Sequence, residues 1–191
     1  MKKSKVSFSA FAILIIEMMF TQSTFAVDIA CPDVVQDISA TLTKKTNSDW
    51  DSASKERVRE LAKNSAKEED LRNKMETQCT CADLTYSASE TASSTGDYDC
   101  AFSFSPSPLT IEESENGGGP KKIQEFQDLL RLWFDADQTA KDPSYALQSE
   151  EYKTRKFARY FVKEGSGNLR RAIRAFGKAK LSCTLTCPNL Y

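Results

Sequence analysis

The residues of this chain with the most definite chemistry are its six cysteines, Cys31, Cys79, Cys81, Cys100, Cys183 and Cys187. Behind an export signal, cysteines in even number oxidise in pairs into a disulfide framework, and no free thiol is required. Six cysteines allow fifteen pairings. A Cys79–Cys81 bridge would close too small a ring, and a helix continuing through Cys183 and Cys187 would hold those two apart. Setting aside every pairing that uses either local bridge leaves ten, and in all of them Cys183 and Cys187 both reach back to the N-terminal half. The favoured bridge joins one of these end cysteines to Cys31. A redox role would call for Cys-x-x-Cys at a helix start, and the spacings here, Cys-x-Cys and Cys-x3-Cys, do not match it.

The chain contains no histidine. That removes Ser-His-Asp and Cys-His nucleophilic catalysis and every zinc site built on imidazole. The string Asp135-Ala136-Asp137-Gln138-Thr139 follows an apolar run and resembles the Asp-x-Asp-x-Thr motif of haloacid-dehalogenase-type phosphatases. The resemblance implies Asp135 as nucleophile and Asp137 as acid at the end of a central parallel strand. The run before it has helical periodicity, however, and only about 50 residues follow, too few for the rest of an α/β core. Read as a calcium loop, the same stretch places Ala140 and Ala146 where glycine and glutamate are needed. Acidic residues abundant enough for glycoside hydrolysis are present, but their abundance singles out no pair. The expectation is a non-enzymatic protein with no catalytic residue, no metal and no cofactor.

Charge gives the other candidate chemistry. Residues 27–148 carry 13 Lys and Arg against 23 Asp and Glu, whereas residues 149–191 carry 10 against 3. The basic end contains Lys156, Arg159 and Lys163, followed by Arg170, Arg171, Arg174 and Lys178. On helices, each set would form one basic face opposite an apolar one. Such a face suits an anionic lipid, a glycan or an acidic protein, or it pairs with the acidic half. Nucleic acid is disfavoured because no aromatic platform interleaves the charges.

The elements that must position these groups follow from patterning. Lys2, Lys3 and Lys5, an apolar run from Phe8 to Phe20 broken only by Glu17, and small Ala26 have the layout of a cleaved secretory signal over residues 1–26. The run is short against the roughly 20 residues of a spanning helix. Val34, Ile38 and Leu42 recur at i, i+4, i+8 and indicate a helix over 33–43. A charged helix follows over 52–77 with a break near Asn64-Ser65. Alternation at Leu84–Ala88 and again at Tyr98–Phe104 indicates a β-hairpin ended by Pro106 and Pro108. An acidic, glycine-rich stretch over 112–119 reads as a flexible connector between halves 27–111 and 120–191. Beyond it, Ile123, Phe126, Leu129, Leu130, Trp133 and Phe134 share one helical face. A loop is expected over 135–144, and helices over 149–163 and 169–180 complete the reading.

The fold expected is a disulfide-stapled, mostly α-helical α+β single domain over 27–191 with one β-hairpin. The function expected is that of an exported binding or interaction protein, periplasmic or secreted, with a protein as its first partner. A basic-faced effector binding anionic lipid or glycan is the second reading, and a carboxylate-dependent hydrolase the third.

Overall fold

The computed structural model describes residues 26–81, 96–163 and 168–187. The signal segment and the Leu84–Ala88 strand lie outside the described residues. The chain forms β1 (Val27–Ala30), β2 (Val34–Lys44), α1 (Ser52–Lys63), α2 (Glu68–Gln78), β3 (Asp97–Glu115), α3 (Pro120–Lys141), α4 (Glu150–Lys163) and β4 (Arg171–Cys187), with a 3-10 turn over Pro143–Leu147.

The last strand organises the molecule. β4 is antiparallel to all three others, which makes a four-stranded sheet. β1 pairs with Thr184–Cys187 and β2 with Arg171–Leu181 along one edge. β3 pairs along the other edge, from Thr186 to Arg171. Between Ser105 and Thr110 the β3 register shifts. Pro106 and Pro108, which cannot donate to a ladder, sit in this bulge, each after a cis peptide bond. Gly177 lies opposite, where a Cβ would come within 2.7 Å of both the Leu109 side chain and the Ser105 carbonyl. The close approach of the bulge therefore requires glycine there.

β-strand side chains alternate between faces, and β4 obeys this along its length. Ile173, Ala175, Ala179, Leu181, Cys183 and Leu185 are buried in one core with Val34 and Ile38 of β2, Val58 and Ala62 of α1, and Leu71 and Met75 of α2. On the opposite face, among the described residues, the first part is covered. Ala172 packs with Phe126, Leu130 and Trp133 of α3 and with Leu169, and Phe157 and Phe161 of α4 close over them.

The helices start where local chemistry favours it. Asp51 caps α1, its carboxylate accepting from the Ser54 N–H at 2.7 Å. Glu68, Glu69 and Asp70 fill the first turn of α2, where the helix dipole favours negative charge. Pro120 opens α3 just after Gly119, as proline suits a first turn. The Ser149 hydroxyl accepts from the Tyr152 N–H at 3.2 Å to begin α4.

Three expectations are overturned. The molecule is not mostly helical with a single hairpin, because residues 34–44 and 171–187 are strands. Residues 98–104 are a strand as expected, but its described partner is β4. A spacing of four fits a helix turn and is also an even number, so Val34, Ile38 and Leu42 fall on one face of a strand too. The β-branched residues around them, Val35, Thr41 and Thr43, favour the strand. Next, β3 continues through the prolines to Glu115, so the first half of the expected 112–119 connector is paired strand. Finally, α3 runs on to Lys141, so most of the loop expected over 135–144 is helix. The expected break near Asn64-Ser65 does separate α1 from α2.

Candidate functional site

The cysteines form three bridges, Cys31–Cys79, Cys81–Cys187 and Cys100–Cys183. Cys183 and Cys187 both reach the N-terminal half, but the favoured link from one of them to Cys31 is not made. Pairing by register explains this: Cys100 and Cys183 are direct cross-strand partners, while Cys31, whose N–H bonds the Cys183 carbonyl at 3.0 Å, turns its sulfur to the end of α2. The bridges are structural, and all three stand at the end of β4 away from α3.

The basic residues expected to share helical faces are dispersed. Arg170, Arg171, Arg174 and Lys178 do not lie on a helix, since β4 begins at Arg171. Arg171 is neutralised by two ion pairs, with Asp49 at 2.5 Å and Glu115 at 3.1 Å. Arg170 is half-buried and ties its backbone to Lys44 and Asn116. Lys156 lies 4.8 Å above the Tyr145 ring and 5.9 Å from that of Tyr152. Arg159, Lys163 and Lys178 are exposed. The acidic motif disperses as well. On a helix, residues i and i+2 point apart, so Asp135 and Asp137 do not converge. Asp135 accepts from Tyr145 at 2.6 Å and from Arg131 at 2.8 Å. Burial, and then the bond to Asp135, hold the Tyr145 phenol above its usual value. A phosphatase-type arrangement of these residues is thereby excluded. Among the described residues, no three metal-ligating side chains of the His, Cys, Asp and Glu types converge.

What the fold does bring together is a polar cluster beneath α3, opening into a groove. α3 presents Phe126, Leu130, Trp133, Asp137 and Ala140 to the sheet, all of them buried. Asp137 thus extends the apolar stripe by one turn with a carboxylate. The Ser39 hydroxyl of β2 donates to Asp137. The Arg174 Nε of β4 stands 3.7 Å from the same carboxylate, near enough for ionic attraction but without a hydrogen bond. Burial raises the Asp137 carboxyl above the ordinary value of 3.8, against the opposing influence of Ser39, Thr41, Arg174 and Lys141. Desolvation therefore outweighs the compensating groups at this position.

Arg174 is the least satisfied charge in the cluster. Its side chain is 15% exposed, and its Nε is buried with no hydrogen-bond partner among the described residues. Withdrawing an N–H donor from water without an acceptor is unfavourable. One face of the guanidinium lies over the Phe176 ring, 5.0 Å from the centroid. The groove beside it has a volume of about 620 Å³. Val35, Ile38, Leu71, Ala136, Pro143 and Phe176 supply apolar wall. Asp37, Asp70, Lys74, Lys141 and Arg174 supply charge. The Gln36 amide, donating to the Ala140 carbonyl at 3.0 Å, fixes the end of α3 against β2.

Sequence reasoning singled out Arg174 as part of a basic helical face and Asp137 as part of a loop motif. It found neither their convergence nor Ser39. One signal was present: Asp137 follows Trp133 by four and Leu130 by seven residues, a carboxylate in register with an apolar stripe. No family model matches this chain, and no curated protein or solved structure is similar to it.

Proposed function

We propose that this is an exported, non-catalytic binding protein whose working site is the groove at the end of α3. The observation that carries the reading is Arg174: a largely buried arginine whose Nε has no hydrogen-bond acceptor among the described residues, lining a groove of about 620 Å³. Sites for small ligands are concave, mostly apolar, a few hundred to a thousand or so Å³ in volume, and carry a few placed polar groups. The three disulfides suit an oxidising compartment, which supports export. No helix among the described residues is long and apolar enough to cross a membrane. The groove reading is preferred to a basic-face effector because Arg171 and Lys156 are engaged within the fold and Arg174 is largely buried.

The test is a ligand-observed NMR screen of the oxidised protein. The panel consists of neutral, anionic and cationic mono- and bicyclic aromatics, run beside Ala136→Trp. Ala136 lines the groove and is half-buried, so an indole there fills the space. Thr139→Phe serves the same end should the first variant fail to fold, as judged by circular dichroism. At least one panel compound binds the native protein and loses its signal in the filled variant. Binding by none, or binding indifferent to the filled groove, overturns the reading and directs the search to protein partners.

A further inference from the structure

Resting on that reading, we propose that the groove takes a small carboxylate joined to an apolar body, with the carboxylate on the Arg174 guanidinium and the body along Phe176. The geometry favours an anion over the alternatives. A carboxylate supplies two oxygens that match the guanidinium fork in a bidentate pair, and the Nε of that fork is buried without a partner among the described residues. Lys141 and Lys74, also at the groove, are offset by Asp37 and Asp70 of the same lining, which leaves Arg174 as the charge that draws an anion. Val35, Ala136, Pro143 and Phe176 offer the apolar remainder of the ligand a dry wall. Phe176 already holds one face of the guanidinium, which leaves the edge of the fork free for an in-plane acceptor. A cationic ligand would face Arg174 directly, and a neutral one would leave its donors without a charged partner.

The cluster gives this ligand a signature that simple surface attraction lacks. Asp137 is the carboxylate nearest to Arg174, at 3.7 Å. A second carboxylate on the guanidinium competes with it and adds negative charge beside a buried acid. The groups facing Asp137 are Ser39 and Thr41 of β2, Arg174 of β4, and Lys141 on its own helix. Of these only Arg174 changes partner when the ligand enters, so Asp137 takes up a proton from solvent on binding. Affinity then weakens as pH rises through the Asp137 titration, by up to about tenfold per pH unit for one proton.

The test is calorimetry with naphthalene-2-carboxylate and its uncharged counterpart, naphthalene-2-carboxamide, on the full oxidised chain. Titrations are run from pH 5.5 to 7, where the probe's own carboxyl stays ionised, in pairs of buffers with different ionisation heats. The carboxylate binds at least tenfold more tightly than the carboxamide at the lower end of this range, its binding takes up protons, and its affinity falls with rising pH. In Asp137→Asn the preference for the carboxylate remains while proton uptake and pH dependence vanish. Arg174→Gln loses the preference; should it fail to fold, the probe pair and Asp137→Asn decide the matter alone. Equal affinity for the two probes overturns the inference while leaving the groove reading intact, as does groove binding by other panel compounds but by neither probe. Proton uptake that persists in Asp137→Asn also overturns it. Absence of binding by every compound removes both readings together.

Discussion

One face of β4 passes through two environments. Ala172, Arg174 and Phe176 lie beneath α3, while Lys178, Lys180, Ser182, Thr184 and Thr186 continue the same face past the end of the helix and are half-buried or exposed. The second stretch is held by covalent and surface chemistry. Three disulfides stand at that end, Lys180 pairs with Asp33 at 2.6 Å, and the Ser182 and Thr186 hydroxyls donate to Asp33 and Asp28 at 2.7 Å. At the covered stretch a carboxylate and a guanidinium are enclosed with their hydrogen-bonding capacity partly unused. The difference separates two tasks. One end of the strand fixes the fold; the other keeps charge away from water, which costs stability and is characteristic of a site rather than of a frame.

The largest effect expected from breaking this contrast lies at the frame. Replacing Cys81 and Cys187 together by alanine opens a bridge between residues 106 apart in sequence. Because Cys100–Cys183 stays closed, the loop released is only the short circuit from Cys81 to Cys100 and from Cys183 to Cys187, and in the chain-entropy model that costs about 3 kcal/mol, read by urea denaturation at neutral pH. A smaller loss is expected at the site. Asp137→Ala leaves the Ser39 hydroxyl without its acceptor and the Arg174 guanidinium without its ionic partner, at a cost of about 2 kcal/mol. Should the site variant prove the more destabilising, or should it stabilise the protein by several kcal/mol, the division of tasks between the two ends would be wrong.

The same contrast explains what could be read beforehand. The disulfide character of all six cysteines was legible from their number, and so were the helical stretches at 52–63, 68–78 and 150–163. The alternation at Tyr98–Phe104 marked part of β3, but β2 and β4 were not legible, and the reason is arithmetic. Val34, Ile38 and Leu42 recur every fourth residue, which serves a helix and a strand equally. At the start of β4 and just before it, Leu169, Ile173 and Phe176 imitated a helical face, although Ile173, Ala175, Ala179, Leu181, Cys183 and Leu185 lie on one face of the strand. Alanine and glycine at 175, 177 and 179 muted that pattern, because small residues carry little hydrophobic signal. They are small because both α1 and the β3 bulge press close there, as Gly177 against Leu109 shows. The site was hidden for a related reason. Its members come from β2, α3 and β4, and a helical reading of residues 171–180 placed Arg171 and Arg174 side by side when the strand sends them to opposite faces.

The smallest effect is also the sharpest test, because the two ends should answer pH in opposite directions. Asp33 is held below the ordinary 3.8, chiefly by its hydrogen bonds to Lys180 and Ser182. A group depressed in the folded state contributes stability above its unfolded value and loses it as pH falls through the folded value. Asp137 is raised by burial. Its contribution is fully present below 3.8 and lost as pH rises through its folded value, since the native state there binds the proton more tightly than the unfolded chain. Melting temperatures of the native protein, Asp33→Asn and Asp137→Asn are to be compared from pH 2.5 to 7. The advantage of the native protein over Asp33→Asn shrinks toward acid, whereas its advantage over Asp137→Asn shrinks toward neutrality. Slopes of the same sign in both comparisons would mean that Asp137 is solvated like Asp33, and the enclosed charge at the head of the groove would lose its physical basis.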